Sequence, residues 1–219
     1  MAKIGAIFDW DGVIIDSSAA HEESWERLAR GEGRGLPPGH FKTGFGRKNE
    51  YIIPNILGWT SDPAEVRRLG RRKEKWYREV VRERGIDPLP GVREFLTTLQ
   101  AAAVPCAIGS STERENIDTI LALVRLGDFF RLIVSADDVT AGKPDPQVFL
   151  LAARGLDLPA ARCVVFEDAV VGLEAARAGG MKSVGVATTH SAEKLAGADR
   201  VVRRLDELTV EDLAELVKN

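Results

Sequence analysis

The chain has 219 residues, 44% hydrophobic and 29% charged, with 21 Gly and 10 Pro. That composition excludes collagenous, low-complexity and wholly disordered classes, and the length suits one large domain or one domain carrying an insertion. With 30 Lys and Arg against 33 Asp and Glu the net charge is −3, which offers no global attraction to nucleic acid or anionic lipid, so small-molecule chemistry is expected.

In chain order, the apolar run 4–8 is too short for a buried helix and reads as a strand covered on both faces. Residues 17–88 then hold no strand-like run but carry three of the four Trp and both Tyr. They read as an inserted helical module, with helices expected over 18–30, 48–57 and 63–84. The turn-rich stretch 31–39 should end the first, and Asp62 and Pro63 suit the cap and first turn of the last. Pro88, Pro90 and Gly91 mark the return to the main domain.

From there apolar runs at 104–108, 132–134, 163–166 and 184–186 alternate with helical spacings. The helical positions are Ile117, Ile120, Leu121 and Val124, then Val148, Leu151 and Ala152, then Val170, Leu173 and Ala176. Strand and helix in alternation predict an α/β fold with a parallel sheet. Cys106 and Cys163 lie in apolar runs, away from metal-ligand spacing, and read as buried core thiols. No run of about 18 apolar residues and no secretory pattern is visible, so a cytoplasmic protein without a membrane partner is expected.

In open α/β sheets ligands bind beyond the carboxyl ends of the strands. The first strand runs into Asp9-Trp10-Asp11-Gly12, and alternation along an extended chain puts Asp9 and Asp11 on one side and Trp10 on the other. Two neighbouring carboxylates are costly without a cation or a shared proton, which is useful to an acid/base site; exposed turn acids are the plain alternative. After 104–108 comes Gly109-Ser110-Ser111-Thr112, whose hydroxyls and amides at a helix start suit phosphate oxygens or simply a helix cap. After 132–134 the loop Thr140-Ala141-Gly142-Lys143-Pro144-Asp145-Pro146 presents one lysine. After 163–166 come Glu167 and Asp168, then Gly172. Each feature alone has an ordinary structural reading. Four strand ends delivering them to one sheet edge do not.

With these residues in order, the chain resembles the haloacid dehalogenase-like superfamily of phosphotransferases over essentially its whole length. Asp9 and Asp11 match the first motif, Ser110 the second, Lys143 the third, and Glu167 with Asp168 the fourth. The resemblance implies a modified Rossmann core of residues 1–16 and 89–219, with 17–88 as the helical cap of the β-phosphoglucomutase-like subgroup. It implies that Asp9 attacks phosphorus to form an aspartyl-phosphate, while Asp11 protonates the leaving oxygen and later deprotonates water or a hydroxyl. Mg²⁺ would be held by the Asp9 carboxylate, the Asp11 main-chain carbonyl and Asp168, with Glu167 direct or through water. Lys143 and Ser110 would bind the transferring group. Two departures from the family pattern are Ala169, where Ser is common, and Gly109 before Ser110.

Within the insertion, Ser17, His21, Trp25, Arg47 and Lys73 resemble a hinge hydroxyl, a His and Lys pair and a distal-phosphate arginine of β-phosphoglucomutases. Ser17, His21 and Trp25 are four residues apart, so one helix face could present all three; packing at the hinge is the plain reading of His21. The basic residues between 65 and 84 are expected mostly on a solvated face. The resulting expectation is a monomeric Mg²⁺-dependent phosphatase of a small phosphorylated metabolite such as a sugar phosphate. A β-phosphoglucomutase-like mutase is the alternative, ahead of a silent binding protein and of a 2-haloacid dehalogenase. Asp11 argues against the last, because the dehalogenases of the superfamily lack an acid there and use no metal.

Overall fold

The computed structural model describes residues 3–44 and 47–218. They fall into two compact units, one built from the chain up to Asp16 and from Asp87 onward, the other Ser17–Ile86. The chain enters the first unit through β1 (Gly5–Phe8), in which every residue is buried.

The second unit is helical. In α1 (Ser18–Glu32), Trp25, Leu28 and Ala29 form the buried stripe. The helix runs two residues beyond the expected end because Gly33, rather than Gly31, takes the left-handed conformation that closes it (φ 63°). A short helix α2 (His40–Gly44) follows, which sequence spacing did not suggest. Phe45 and Gly46, part of the expected approach to Arg47, lie outside the described residues. The helix expected over 48–57 is present but changes pitch: α3 (Asn49–Tyr51) widens into a π-helical stretch, Ile52–Ile56. Pro54 falls inside that stretch and has no amide hydrogen for an α-turn bond, and the Leu57 amide instead reaches back five residues to the Ile52 carbonyl at 2.9 Å.

The fourth helix, α4 (Pro63–Arg84), has the expected bounds, and the Asp62 carboxylate accepts the Ala64 amide at its start. Val66 and Leu69 pack with Trp25, Leu28 and Ile53 into one apolar cluster. Most of its basic residues are solvated, as expected: Arg67, Arg68, Arg71, Lys75, Arg82 and Arg84 are exposed. Arg68 pairs with Glu32 and Glu65, and Arg72 with Glu32, while Lys73, Glu74 and Arg78 are buried. The acids on α1 attract those guanidinium groups, a relation between helices that spacing within α4 cannot show.

The first unit resumes with α5 (Val92–Ala101), β2 (Cys106–Gly109), α6 (Arg114–Val124), β3 (Phe130–Val134) and α7 (Gln147–Gly155). It continues through β4 (Cys163–Glu167), α8 (Val170–Ala178), β5 (Lys182–Val186), β6 (Arg200–Val202) and α9 (Val210–Leu216). The six strands lie in the order β3-β2-β1-β4-β5-β6, and every pair is parallel. β2 starts two residues later than its apolar run because Val104 still belongs to the turn after α5, its amide bonded to the Leu99 carbonyl. β3, at one end of the sheet, buries only Val134 fully, so the expectation of cover on both faces fails there. β6 was not foreseen; its three residues, with Val202 alone buried, are too short to register as a run.

At the centre, Phe8 of β1 stacks on Phe166 of β4 with ring centroids 4.5 Å apart and meets Phe95 edge-on. Cys106 and Cys163 are buried and unpaired, and burial pushes their thiols up to about 12 and about 11. Among the described residues no helix is long and apolar enough to cross a membrane. The strand order reverses at β1, which pairs with β2 on one side and β4 on the other. Such a switch point opens a crevice at the carboxyl ends of its strands. Asp9 and Glu167 stand at those ends.

Candidate active site

Asp9 follows the last residue of β1 and remains tied to the sheet, its amide donating to the Phe166 carbonyl at 2.9 Å. Trp10 is fully buried, while Asp9 and Asp11 reach polar partners. The two carboxylates nevertheless have different surroundings.

Asp9 Oδ1 accepts from Lys143 Nζ at 2.7 Å, and the same ammonium donates to Glu167 Oε1 at 2.5 Å. Lys143 is not the solvated loop lysine that a lone lysine suggests: its side chain is only 8% exposed, and its Nζ lies 4.7 Å from the centre of the Phe149 ring. Burial would lower its pKa, but the charges of Asp9 and Glu167 outweigh that and raise it above the ordinary lysine range. The loop is pinned by Gln147, whose side-chain oxygen accepts the Thr140 and Ala141 amides, and by Asp145, which accepts the Gln147 amide at the start of α7.

Glu167 is fully buried, and its second oxygen accepts the Ala169 amide at 2.9 Å. The main chain serves here, so a side-chain hydroxyl at residue 169 is not needed for that bond. Burial raises the Glu167 pKa, with Lys143 acting in the opposite sense. Asp168 is pushed up to about 8 by burial and then by the charges of Asp9 and Glu167. Asp9, Glu167 and Asp168 each offer one carboxylate oxygen, and these oxygens lie within 4.8 Å of one another.

One ammonium cannot balance three buried carboxylates, and unbalanced buried charge is strongly disfavoured. An all-oxygen donor set carrying that surplus suits a hard divalent cation. The residues present therefore fit a magnesium-type ion. Asp11 is not part of the carboxylate trio. Its Oδ2 accepts from the Thr112 hydroxyl at 2.5 Å.

Ser110 is buried beyond β2, its amide bonded to the Val134 carbonyl and its Oγ accepting the Thr112 amide at 3.1 Å. Gly109 has a packing reason: a Cβ there would meet Phe149 Cδ1 at 2.9 Å, and that ring underlies Lys143. Gly12 has a positive φ of 76°, and a Cβ on it would lie 2.0 Å from Asp168 Oδ2. Gly172, on α8, is tighter still, its Cβ position lying 1.8 Å from Glu167 Oε1 and 1.9 Å from Cδ. Because Lys143 and the Ala169 amide hold that carboxylate, it has little freedom to move aside. Gly172→Ala is expected to cost about 1–3 kcal/mol, read from the midpoint of urea unfolding. A midpoint equal to that of the wild type would show that Glu167 is not held where it stands.

In the helical unit, His21 Nδ1 lies 2.7 Å from Lys73 Nζ, and the His21 ring stacks on Tyr77 at 4.0 Å. Lys73 donates to Glu74 Oε1 at 2.9 Å, Asn49 donates to the same oxygen at 2.8 Å, and the ammonium lies 5.6 Å from the Trp25 ring. Burial, then the Lys73 charge, lowers the His21 pKa to about 3, so its ring is neutral near pH 7 and accepts from the ammonium. Burial opposes ionisation of Glu74, but the Lys73 charge prevails and holds it at about 2. His21, Trp25 and Lys73 are thus brought together. Ser17 is buried at the N-cap of α1, one residue before the helix, and makes no side-chain cap bond. Arg47 is exposed, with its guanidinium carbon 4.5 Å from the Tyr51 ring centre.

Sequence reading passed over Phe149, the support given by Gly12 and Gly172, and the residues after β5. Extending the strand-end rule to the run 184–186 would have pointed to Thr188, Thr189 and His190. The glycine contacts depend on side chains distant in sequence and leave no local signal.

A family model described as haloacid dehalogenase-like hydrolase matches residues 5–180. The chain is 40% identical over 216 residues to the chloroplastic 5-amino-6-(5-phospho-D-ribitylamino)uracil phosphatase of Arabidopsis thaliana, a match covering 97% of this chain and 57% of that protein. It thus spans little more than half the length of that relative. The beta-phosphoglucomutase of Bacillus subtilis (strain 168) is 33% identical over 217 residues, covering 95% of this chain and 93% of that one. The crystal structure of an HAD hydrolase, family IA, variant 3 from Entamoeba histolytica matches with a TM-score of 0.88 at 26% identity, over 99% of this chain and 100% of that one.

Proposed function

We propose that this chain, which belongs to the haloacid dehalogenase-like hydrolase family, is a phosphatase of a small phosphorylated metabolite that works by passing the phosphoryl group through Asp9 to water. One observation carries this reading: a buried carboxylate at the sheet's switch point shares a lysine with a second carboxylate and lies beside a third. Asp9 supplies the attacking oxygen, forming an aspartyl-phosphate as the ester oxygen departs. Asp11 gives its proton to that oxygen and then takes one from the incoming water, so the acid is regenerated in each turnover. The Thr112 hydroxyl orients Asp11 for both transfers. Lys143 and Ser110 hold the transferring group, the first by charge and the second by its hydroxyl.

Asp9, Glu167 and Asp168, with the Asp11 main-chain oxygen, would hold Mg²⁺, which when bound offsets the charge of an anionic phosphate meeting an anionic nucleophile. We assign recognition of the non-reacting end of the substrate to the helical unit, with His21, Lys73 and Arg47 as its polar contacts and Ser17 at its hinge. Phosphorylated sugars and sugar-like polyols are the favoured class, because the Arabidopsis relative is named for a phosphoribityl compound. The free buried thiols fit a reducing compartment such as the cytoplasm.

The test is phosphate release from a panel that includes 5-amino-6-(5-phospho-D-ribitylamino)uracil and several sugar phosphates, with Mg²⁺ and with a chelator. Magnesium-dependent release from at least one member is expected; release unaffected by chelation would reject the metal assignment. A mutase is the second reading, favoured by the His21 and Lys73 pair and by the Bacillus relative. Conversion of β-glucose 1-phosphate, with a trace of the 1,6-bisphosphate, into glucose 6-phosphate without comparable free phosphate would establish it in place of hydrolysis.

A further inference from the structure

Four polar side chains of the helical unit form a chain of hydrogen bonds in apolar surroundings. Asn49 donates to Glu74 Oε1 at 2.8 Å, Lys73 donates to the same oxygen at 2.9 Å, and Lys73 Nζ lies 2.7 Å from His21 Nδ1. Lys73 and Glu74 are buried, and the ammonium lies 5.6 Å from the Trp25 ring centre and 5.4 Å from that of Tyr77. An ammonium has donors and no acceptor, so His21 Nδ1 carries a lone pair and the single proton of the neutral ring sits on Nε2. The chain is thus balanced in charge. The lysine that would attract an anion already faces a carboxylate, and the histidine ends the chain as a neutral N–H donor. The charges of Lys73 and Glu74 act on the His21 ring in opposite senses, in keeping with such a pair.

We infer that Glu74 is a specificity-determining residue, its carboxylate cancelling the Lys73 charge so that the helical unit selects substrates whose non-reacting end is neutral and hydroxylated over those whose far end is anionic. This rests on the assignment of the non-reacting end to His21 and Lys73. A hydroxyl oxygen can accept from His21 Nε2–H without meeting a like charge. An anionic end brought to the same donor approaches Glu74 as well as Lys73, and the repulsion between such charges is poorly screened where water is excluded. A buried lysine without its carboxylate would do the reverse and favour the anion. Asn49, donating to the oxygen that Lys73 uses, holds the carboxylate turned toward the ammonium. Arg47 is exposed over the Tyr51 ring and is left unchanged in every variant below, so its charge drops out of the comparison.

The test is kcat/KM at saturating Mg²⁺ for D-ribitol 5-phosphate and D-ribonate 5-phosphate, which differ only in carrying a hydroxymethyl group or a carboxylate at the far carbon. Both esters are measured on one preparation, so their ratio does not depend on the fraction of enzyme that is folded. The wild type is expected to favour the ribitol ester about tenfold or more, because a like charge is costly to bring near a buried one. Glu74→Gln keeps the shape of the side chain and removes its charge, and should shrink that preference about fivefold or more through a lower KM for the ribonate ester. Glu74→Asp keeps the charge and should stay near the wild-type ratio. An unchanged ratio in Glu74→Gln, an equal change in both variants, or a wild-type preference for the ribonate ester would overturn the inference. Lys73→Met tests the premise separately: KM for the ribitol ester should rise. An unchanged KM there, or wild-type turnover of neither ester, would overturn the inference through that premise, by removing the helical unit from recognition of the far end.

Discussion

Asp9→Asn is expected to reduce turnover by at least ~10³-fold while leaving the protein folded, because an amide cannot supply the attacking oxygen and removal of a nucleophile costs several orders of magnitude. The substitution preserves size, so the sheet contact of the Asp9 amide with Phe166 is kept. It also removes one negative charge from a crowded cluster. The Asp168 pKa, pushed up to about 8 by burial with help from the Asp9 charge, should move down toward the ordinary carboxylate range. Both results are measurable on one preparation, by steady-state phosphate release and by carboxyl-carbon NMR titration. Retention of a tenth of the activity would remove Asp9 from the chemistry, and an unchanged Asp168 titration would show that the two groups do not interact.

Lys143→Met is the second substitution with a large expected effect, and it acts on stability as well as rate. The ammonium is bonded to Asp9 and Glu167 and buried beside a third carboxylate. Breaking such a pair leaves buried charge uncompensated, at about 3–5 kcal/mol. The pH dependence has a definite sign. Carboxylates whose folded pKa is raised bind protons more readily in the folded than in the unfolded state, so stability is greatest at low pH and is lost as pH rises through the folded values. Asp168 and Glu167 are both raised even with Lys143 present. Metal-free Lys143→Met should therefore be close to wild type at pH 5 and much weaker at pH 8, with added Mg²⁺ restoring part of the difference. Urea unfolding at the two pH values measures this directly, and a deficit independent of pH would show that Lys143 contributes packing over Phe149 rather than charge. The same variant should lose about 10²- to 10³-fold in kcat if Lys143 also stabilises the transferring group.

The bond between Lys143 and Asp9 joins residues 134 positions apart, yet both were legible as candidates because each follows a strand-like run. The parallel sheet explains this: it places every strand's carboxyl end on one edge, so order along the chain becomes proximity in space. The sixth strand escaped notice because three residues with one buried side chain leave no periodic signal. The Thr112 bond to Asp11 spans 101 positions and was only half visible, as a hydroxyl cluster without an assigned partner. In the helical unit the pairing of His21 with Lys73 followed from resemblance, whereas the part played by Asn49 and Glu74 needed coordinates.

Order and spacing of residues were enough to establish an α/β chain with a helical insertion and acids, a hydroxyl and a lysine at its strand ends, because apolar periodicity and turn chemistry are local properties. Tertiary structure alone decided that Lys143 is buried and shared between two carboxylates, that Asp11 is held by Thr112 apart from the acidic trio, and that Gly12 and Gly172 make room for Asp168 and Glu167. Burial and close approach depend on what the rest of the chain brings alongside a residue, and those neighbours come from distant segments that meet only when the sheet is assembled.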